Sequence, residues 1–165
     1  MANQTVESKA MTSYLSFRIG EEMFAADVGK VREILELCPI TKIPRAPDYM
    51  QGVINLRGKV LPVLDTRVQF GLTTSENNLN TCIIVLDVNI EEKELQLGAL
   101  VDSVEEVLEL DAADIESPPS LGSHFNPDYM MGMVKKDQDF IMVLDVDKVF
   151  SLEEISHAHE LSQRE

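Results

Sequence analysis

Three histidines, two cysteines and several adjacent acid pairs are the side chains of this sequence that could carry catalysis or hold a metal. His157 and His159 stand two apart, a spacing that turns two rings to different faces of a helix and makes a poor metal pair. His124 has no comparable neighbour in sequence. Cys38 and Cys82 sit in no CxxC or CxxH spacing and read as small hydrophobes in a reducing compartment. Glu91-Glu92, Glu105-Glu106 and Glu153-Glu154 are direct neighbours, so their carboxylates diverge along a strand or helix and read as solvated surface. No GxGxxG and no GxxxxGK[ST] phosphate cradle occurs. The expectations are no enzyme, no cofactor and no metal.

The residues that resist a bland reading are Asn55-Leu56-Arg57-Gly58. They lie inside PDYMQGVINLRGKVLPVLD (47–65), which returns eighty positions later as PDYMMGMVKKDQDFIMVLD (127–145). The frame is kept and the tip is not: the second copy reads Lys135-Lys136-Asp137-Gln138. Asn and Gly suit a turn for backbone reasons. Arg57 is not required by a turn. It is either a surface charge or it reaches back to a carboxylate such as Glu33, since a guanidinium locks bidentate onto a carboxylate and fixes a loop. KKDQD (135–139) reads as a solvated counterpart.

A second repeat lies upstream of the first. Val28 to Leu37 matches Val101 to Leu110 at an offset of 73. Two matches in the same order point to a duplicated unit of about 75 residues. The seven extra residues of the second copy fall at SPPSLGS (117–123), which reads as a loop insertion. Val31/Ile34 and Val104/Val107 are the duplicated apolar positions; meeting at a junction between units, they would line a shared groove of the kind that takes partner helices.

Charge and composition narrow the function classes. Hydrophobic residues make up 44% of the 165-residue chain, enough for a core. The net charge of −15 falls entirely on residues 81–165, with five Lys/Arg against twenty Asp/Glu, while residues 1–80 balance nine against nine. That half repels a phosphate backbone and an anionic bilayer surface, so neither nucleic acid nor membrane insertion is expected. Apolar runs such as Cys82–Leu86 are far short of the ~20 residues a spanning helix needs. MANQTVESKAMTS lacks the layout of a signal peptide. The expected location is cytoplasmic.

The elements that must position these residues are short. Tyr14–Ile19 alternates, with Leu15, Phe17 and Ile19 on one face; Gly20-Glu21-Glu22 is a turn, and Met23–Val28 a returning strand. Val28–Leu37 has helical spacing but β-branched content and Pro39, which favour a short turn followed by a strand. Gly52–Leu56 and Lys59–Leu64 flank the turn at Arg57-Gly58, and Pro62 places the second of these at an edge or a bulge. Thr81–Val88, Glu94–Val101, Met131–Lys135 and Phe140–Asp145 are the strands expected in the second half. Ser151 and Glu154 form a capping box for a C-terminal helix. The expected layout is a polar tail over 1–12, a domain over 13–150 divided near residues 80 and 81, and a helix with its tail over 151–165.

GVINLRGKVLPVLD with Thr66-Arg67 after it and PRAPDYM before it, together with YLSFRIGEEMFAADV and VDSVEEVLEL, resembles the CheW-like coupling proteins of bacterial chemotaxis. The resemblance runs from about Tyr14 to Phe150. It implies an all-β fold of two SH3-like five-stranded β-barrel subdomains packed about a hydrophobic seam. It implies a non-enzymatic adaptor that bridges the cytoplasmic tips of chemoreceptors to the regulatory domain of a CheA-type histidine kinase, recruited to membrane receptor arrays. Carried over by position, Val31, Glu33, Ile34, Val104 and Val107 are receptor-binding, and Gly52, Asn55, Arg57 and Gly58 are tied to kinase coupling and to the shape of the groove. Val101-Asp102-Ser103 departs from the family's usual glycine at its third place. The competing readings are the same fold in another kinase pathway, for motility or development, and a small-molecule-binding barrel; a hydrolase is the weakest of the alternatives.

Overall fold

The computed structural model describes residues 11–72, 77–116 and 129–163. Ten strands alternate with short turns: β1 (Thr12–Ile19), β2 (Glu22–Asp27), β3 (Val31–Glu36), β4 (Met50–Leu56), β5 (Lys59–Asp65), β6 (Cys82–Ile90), β7 (Lys93–Val101), β8 (Ser103–Leu110), β9 (Met130–Lys136) and β10 (Asp139–Leu144). Two single-turn helices, α1 (Thr66–Gln69) and α2 (Val146–Val149), follow the equivalent hairpins β4–β5 and β9–β10, and α3 (Leu152–Gln163) closes the chain. The short turn expected at Val28 is a 3-10 turn over Val28–Lys30, stapled by the Asp27 carboxylate accepting from the Gly29 N–H at 2.7 Å. The Ser151–Glu154 capping box forms as the sequence indicates: Glu154 N–H donates to Ser151 Oγ at 3.0 Å and Ser151 N–H to Glu154 Oε1 at 2.9 Å. The SPPSLGS insertion and His124 lie outside the described residues.

The strands form two five-stranded sheets, in the orders β8-β1-β2-β10-β9 and β3-β6-β7-β5-β4. The fold is therefore all-β in two subdomains, but the division expected near residues 80 and 81 is not a sheet boundary. Each sheet takes strands from both halves, joined through the parallel pairs β2–β10 and β5–β7 and the antiparallel pairs β1–β8 and β3–β6. Burial explains the exchange. Along β6, Ile83 and Val85 fill the interior of one sheet while Ile84, Leu86 and Val88 face the other; along β1, Tyr14 faces inward and Leu15, Phe17 and Ile19 face the seam. A strand apolar on both faces must be covered on both, so each sheet has its own interior and the two share a third, central layer. Phe17, Phe24 and Phe70 stack across that seam. Ile155 and Ala158, fully buried, anchor α3 to the same layer.

Pro62 is not on an edge strand. β5 lies between β4 and β7, but its ladder to β7 covers only Val63–Asp65, so the missing N–H falls just before that pairing begins. β8, absent from the strands expected for the second half, is a full eight-residue edge strand. The repeated frame has a physical reason. Gly52 and Gly132 let the segments after β3 and β8 cross close over the hairpin: a Cβ would stand 2.2 Å from the Thr41 carbonyl oxygen at Gly52 and 2.5 Å from that of Glu116 at Gly132. Those crossings are two-way bridges, Thr41 with Val53 at 2.9 Å in each direction and Glu116 with Met133 at 2.8 Å. Asp65 and Asp145 N–H groups bond Tyr49 and Tyr129 carbonyls at 2.8 and 2.7 Å, and their carboxylates cap α1 and α2.

Candidate functional site

Backbone geometry accounts for Asn55, Gly58 and Gly52. Asn55 Oδ1 accepts from the Gly58 N–H at 2.9 Å, closing the β4–β5 tip. Gly58 lies at φ 88° and Gly52 at φ 150°, conformations glycine adopts at least cost. Arg57 is the exception. It sits at φ 50°, where a long side chain is disfavoured, and its exposed guanidinium forks onto both oxygens of Glu33, with Nη1 to Oε1 at 3.3 Å and Nη2 to Oε2 closer still. The bond to Glu33, with its charge, raises the Arg57 pKa above its ordinary value.

β3 and β4 are the opposite edges of one sheet, so this pair closes the sheet across its open side. The second copy has the same closure with different residues. Lys136, at the end of β9, bonds Glu106 on β8, again the two opposite edges of one sheet. Glu106 is the repeat of Glu33. The KKDQD tip is thus only partly a solvated counterpart: Asp137 repeats the left-handed turn position at φ 57°, but Lys136 takes the role of the arginine. The register of the upstream repeat, which pairs Glu33 with Glu106, is the sequence signal that could have found it.

The receptor-type positions fall on β3 and β8, one edge strand of each sheet. Val31 and Val104, each the first apolar residue of its strand, are partly buried against the shared seam. Leu35 and Leu108 pack into the separate sheet interiors. Ile34 and Val107 point out, 44% and 54% exposed, which is unusual for branched aliphatics on strands. Cys82, which pairs with Glu36 at the far end of β3, donates its thiol to the Asn80 carbonyl at 3.1 Å, and burial pushes its thiol pKa up. The five positions divide between two strands at the rim of one apolar layer.

His159 Nε2 donates to the Gln96 carbonyl at 2.8 Å and so ties α3 to β7, while His157 is exposed. Among the described residues no group of three His, Cys, Asp or Glu could hold a metal. The apolar cavity in the seam, beside Phe17, Phe70 and Phe150, measures about 20 Å³, roughly one water, and leaves no room for a metabolite. Among the described residues no helix is long and apolar enough to cross a membrane.

The described residues form an all-β pair of sheets with packed interiors, edge strands that carry exposed aliphatics and two ion-paired hairpin tips, the make-up of a scaffold protein. Comparison with known proteins places it further. The CheW-like domain model matches residues 13–154, and the chain belongs to that family. It is 36% identical over 140 residues to the chemotaxis protein CheW of Rhizobium meliloti, covering 85% of this chain and 88% of the relative. It is 31% identical over 156 residues to the CheW of Klebsiella aerogenes, covering 94% and 89%. The crystal structure of the scaffolding protein TtCheW from Thermoanaerobacter tengcongensis superposes with a TM-score of 0.74 at 30% identity, covering 87% of this chain and 90% of that one. The chain is a non-enzymatic coupling protein of the chemotaxis type.

Proposed function

We propose that this protein is a cytoplasmic adaptor, recruited to membrane receptor arrays, that holds the helical tips of chemoreceptors against the regulatory domain of a CheA-type histidine kinase, so that receptor state sets kinase output. The receptor tip lies in a groove along the seam, with Val31, Glu33 and Ile34 on one wall and Val104 and Val107 on the other. The kinase couples through the β4–β5 tip, where Gly52, Asn55 and Gly58 shape the hairpin and Arg57 links it to Glu33 on the receptor wall. The observation that carries this reading is the pair of duplicated edge strands, β3 and β8, each starting on the same buried seam and each leaving one branched aliphatic exposed. Apolar burial supplies the affinity: ~400 Å² removed from water is worth about 10 kcal/mol before the costs of association. The test is capture of a chemoreceptor signalling fragment by the wild type and by Val104→Glu. Loss of capture by a folded variant supports the groove; full capture refutes it.

A further inference from the structure

Two ion pairs away from the hairpin tips join the sheets to each other, and their helix members occupy equivalent places in the duplicated halves. Arg67, on α1 and 3% exposed, bonds both oxygens of Asp65 at 3.1 and 3.2 Å and reaches Asp102 Oδ1 at 3.3 Å. Asp102 is the single residue between β7 and β8. Its other oxygen accepts from the Gly20 N–H in the β1–β2 turn, and its own N–H donates to the Arg18 carbonyl at 2.9 Å. The second pair mirrors the first. Asp147, on α2, accepts from Lys30 Nζ at 2.9 Å and from the Asn89 N–H at 2.8 Å. Lys30 immediately precedes β3, and Asn89 lies at the β6 end of the β6–β7 hairpin.

Each short helix therefore follows a hairpin of one sheet and grips the residue leading into the edge strand of the other. Arg67 and Asp147 stand eighty positions apart, the offset of the hairpin repeat. Their charges are opposite, and so are the charges of their partners. At the upstream offset of 73, Lys30 aligns with Ser103, one place beyond Asp102, so the partners are shifted by one; both still lie just before the edge strands, and each of the junctions before Val31 and Val104 is tied to a short helix.

We propose that Arg67–Asp102 and Lys30–Asp147 are positioning pairs for the docking groove: they fix where β8 and β3 begin, and hence the spacing between the Val104 and Val31 walls. This rests on the groove reading above. Arg67 is too buried for a clean substitution, because removing one partner strands the other charge. Lys30 and Asp147 are 34% and 26% exposed, so their pair is the one to change.

The experiment compares Lys30→Met, Asp147→Asn, the double variant and Lys30→Arg in the full chain. The expected result is an about tenfold weaker affinity for a chemoreceptor signalling fragment in each single variant, no further loss in the double, and recovery in Lys30→Arg. Affinity for the isolated kinase regulatory domain stays at the wild-type value, which a general loss of stability would not allow. Unchanged receptor affinity, or equal losses for both partners that track the melting temperature, overturns the proposal. Spin labels at Glu36→Cys and Glu109→Cys, in a Cys38→Ser/Cys82→Ser background, report the separation of the two edge strands directly. A broadened distance in Asp147→Asn supports the clamp and an unchanged one overturns it. If the wild type fails to bind receptor at all, the groove reading fails, and this distance still decides the clamp.

Discussion

The guanidinium of Arg57, on the β4–β5 tip, forks onto the carboxylate of Glu33 on β3 and joins the two outer strands of one sheet. In the proposed function, one residue belongs to the hairpin that couples to the kinase and the other to the strand that meets the receptor. Substituting Arg57 by Ala is expected to leave the protein folded, because the pair is solvent-exposed and such pairs contribute little to stability. It is expected to lower receptor-coupled kinase activity severalfold in a ternary mixture. Full activation with that variant would reduce Arg57 to a surface turn residue.

Glu106 and Lys136 make the matching closure in the other sheet. Glu106→Gln is expected to weaken receptor capture less than Val107→Glu, since it loosens a strand edge without placing a charge on the exposed aliphatic site. Titration of the receptor fragment against the two variants orders them; the reverse order would move the contact from Val107 to the carboxylate.

The glycines of the repeated frame set a stability test. A Cβ at Gly52 or Gly132 meets a backbone carbonyl oxygen, which cannot move as a side-chain tip can. Gly52→Ala and Gly132→Ala should each destabilise by about 3 kcal/mol in urea unfolding. Gly58→Ala, with open space around it, should cost about 1 kcal/mol from its positive φ alone. Equal effects at all three sites would contradict the close crossing of Thr41 and Glu116 over the two hairpins.

Alkaline pH should weaken the fold. Burial raises the pKa of Tyr14, Tyr49 and Tyr129, with Asp27 adding to the shift at Tyr14 and Glu154 and Glu153 at Tyr49, and burial raises that of Cys82. A native pKa above the unfolded one means the native state holds the proton longer, so stability is complete below the unfolded values and is lost as pH rises through the native ones. With unfolded values of about 8.5 for cysteine and about 10 for tyrosine, the urea midpoint should hold to about pH 8 and fall beyond it. A midpoint flat to pH 11 would contradict the burial of these groups.

Local signals in the sequence reached the hairpins, the capping box at Ser151 and the link from Arg57 to Glu33, because each depends on residues whose turn chemistry or charge is visible over a short stretch. Pairing across the halves was not legible. β6 is apolar on both faces, and alternation alone does not say which sheet each face will meet; three-layer burial decides it. β8 escaped for a related reason: VEEVLEL has helical spacing, and only its repeat of β3 marks it as a strand. Pro62 suggested an edge or a bulge, yet it sits inside the sheet, paired with Val53, at the point where a short parallel ladder has not begun. Lys136 was hidden because it is one place out of register with Arg57. The clamps at Arg67 and Asp147 were hidden because the repeat inverted their charges.

The proposed function requires this chain to couple two partners rather than bind either for its own sake. Co-sedimentation of a chemoreceptor signalling fragment with a CheA-type kinase, with and without this protein, tests it most directly. The expected result is that kinase enters the receptor pellet, and its activity follows receptor state, only when the protein is present. Kinase recruitment that is the same with and without the protein would contradict the account.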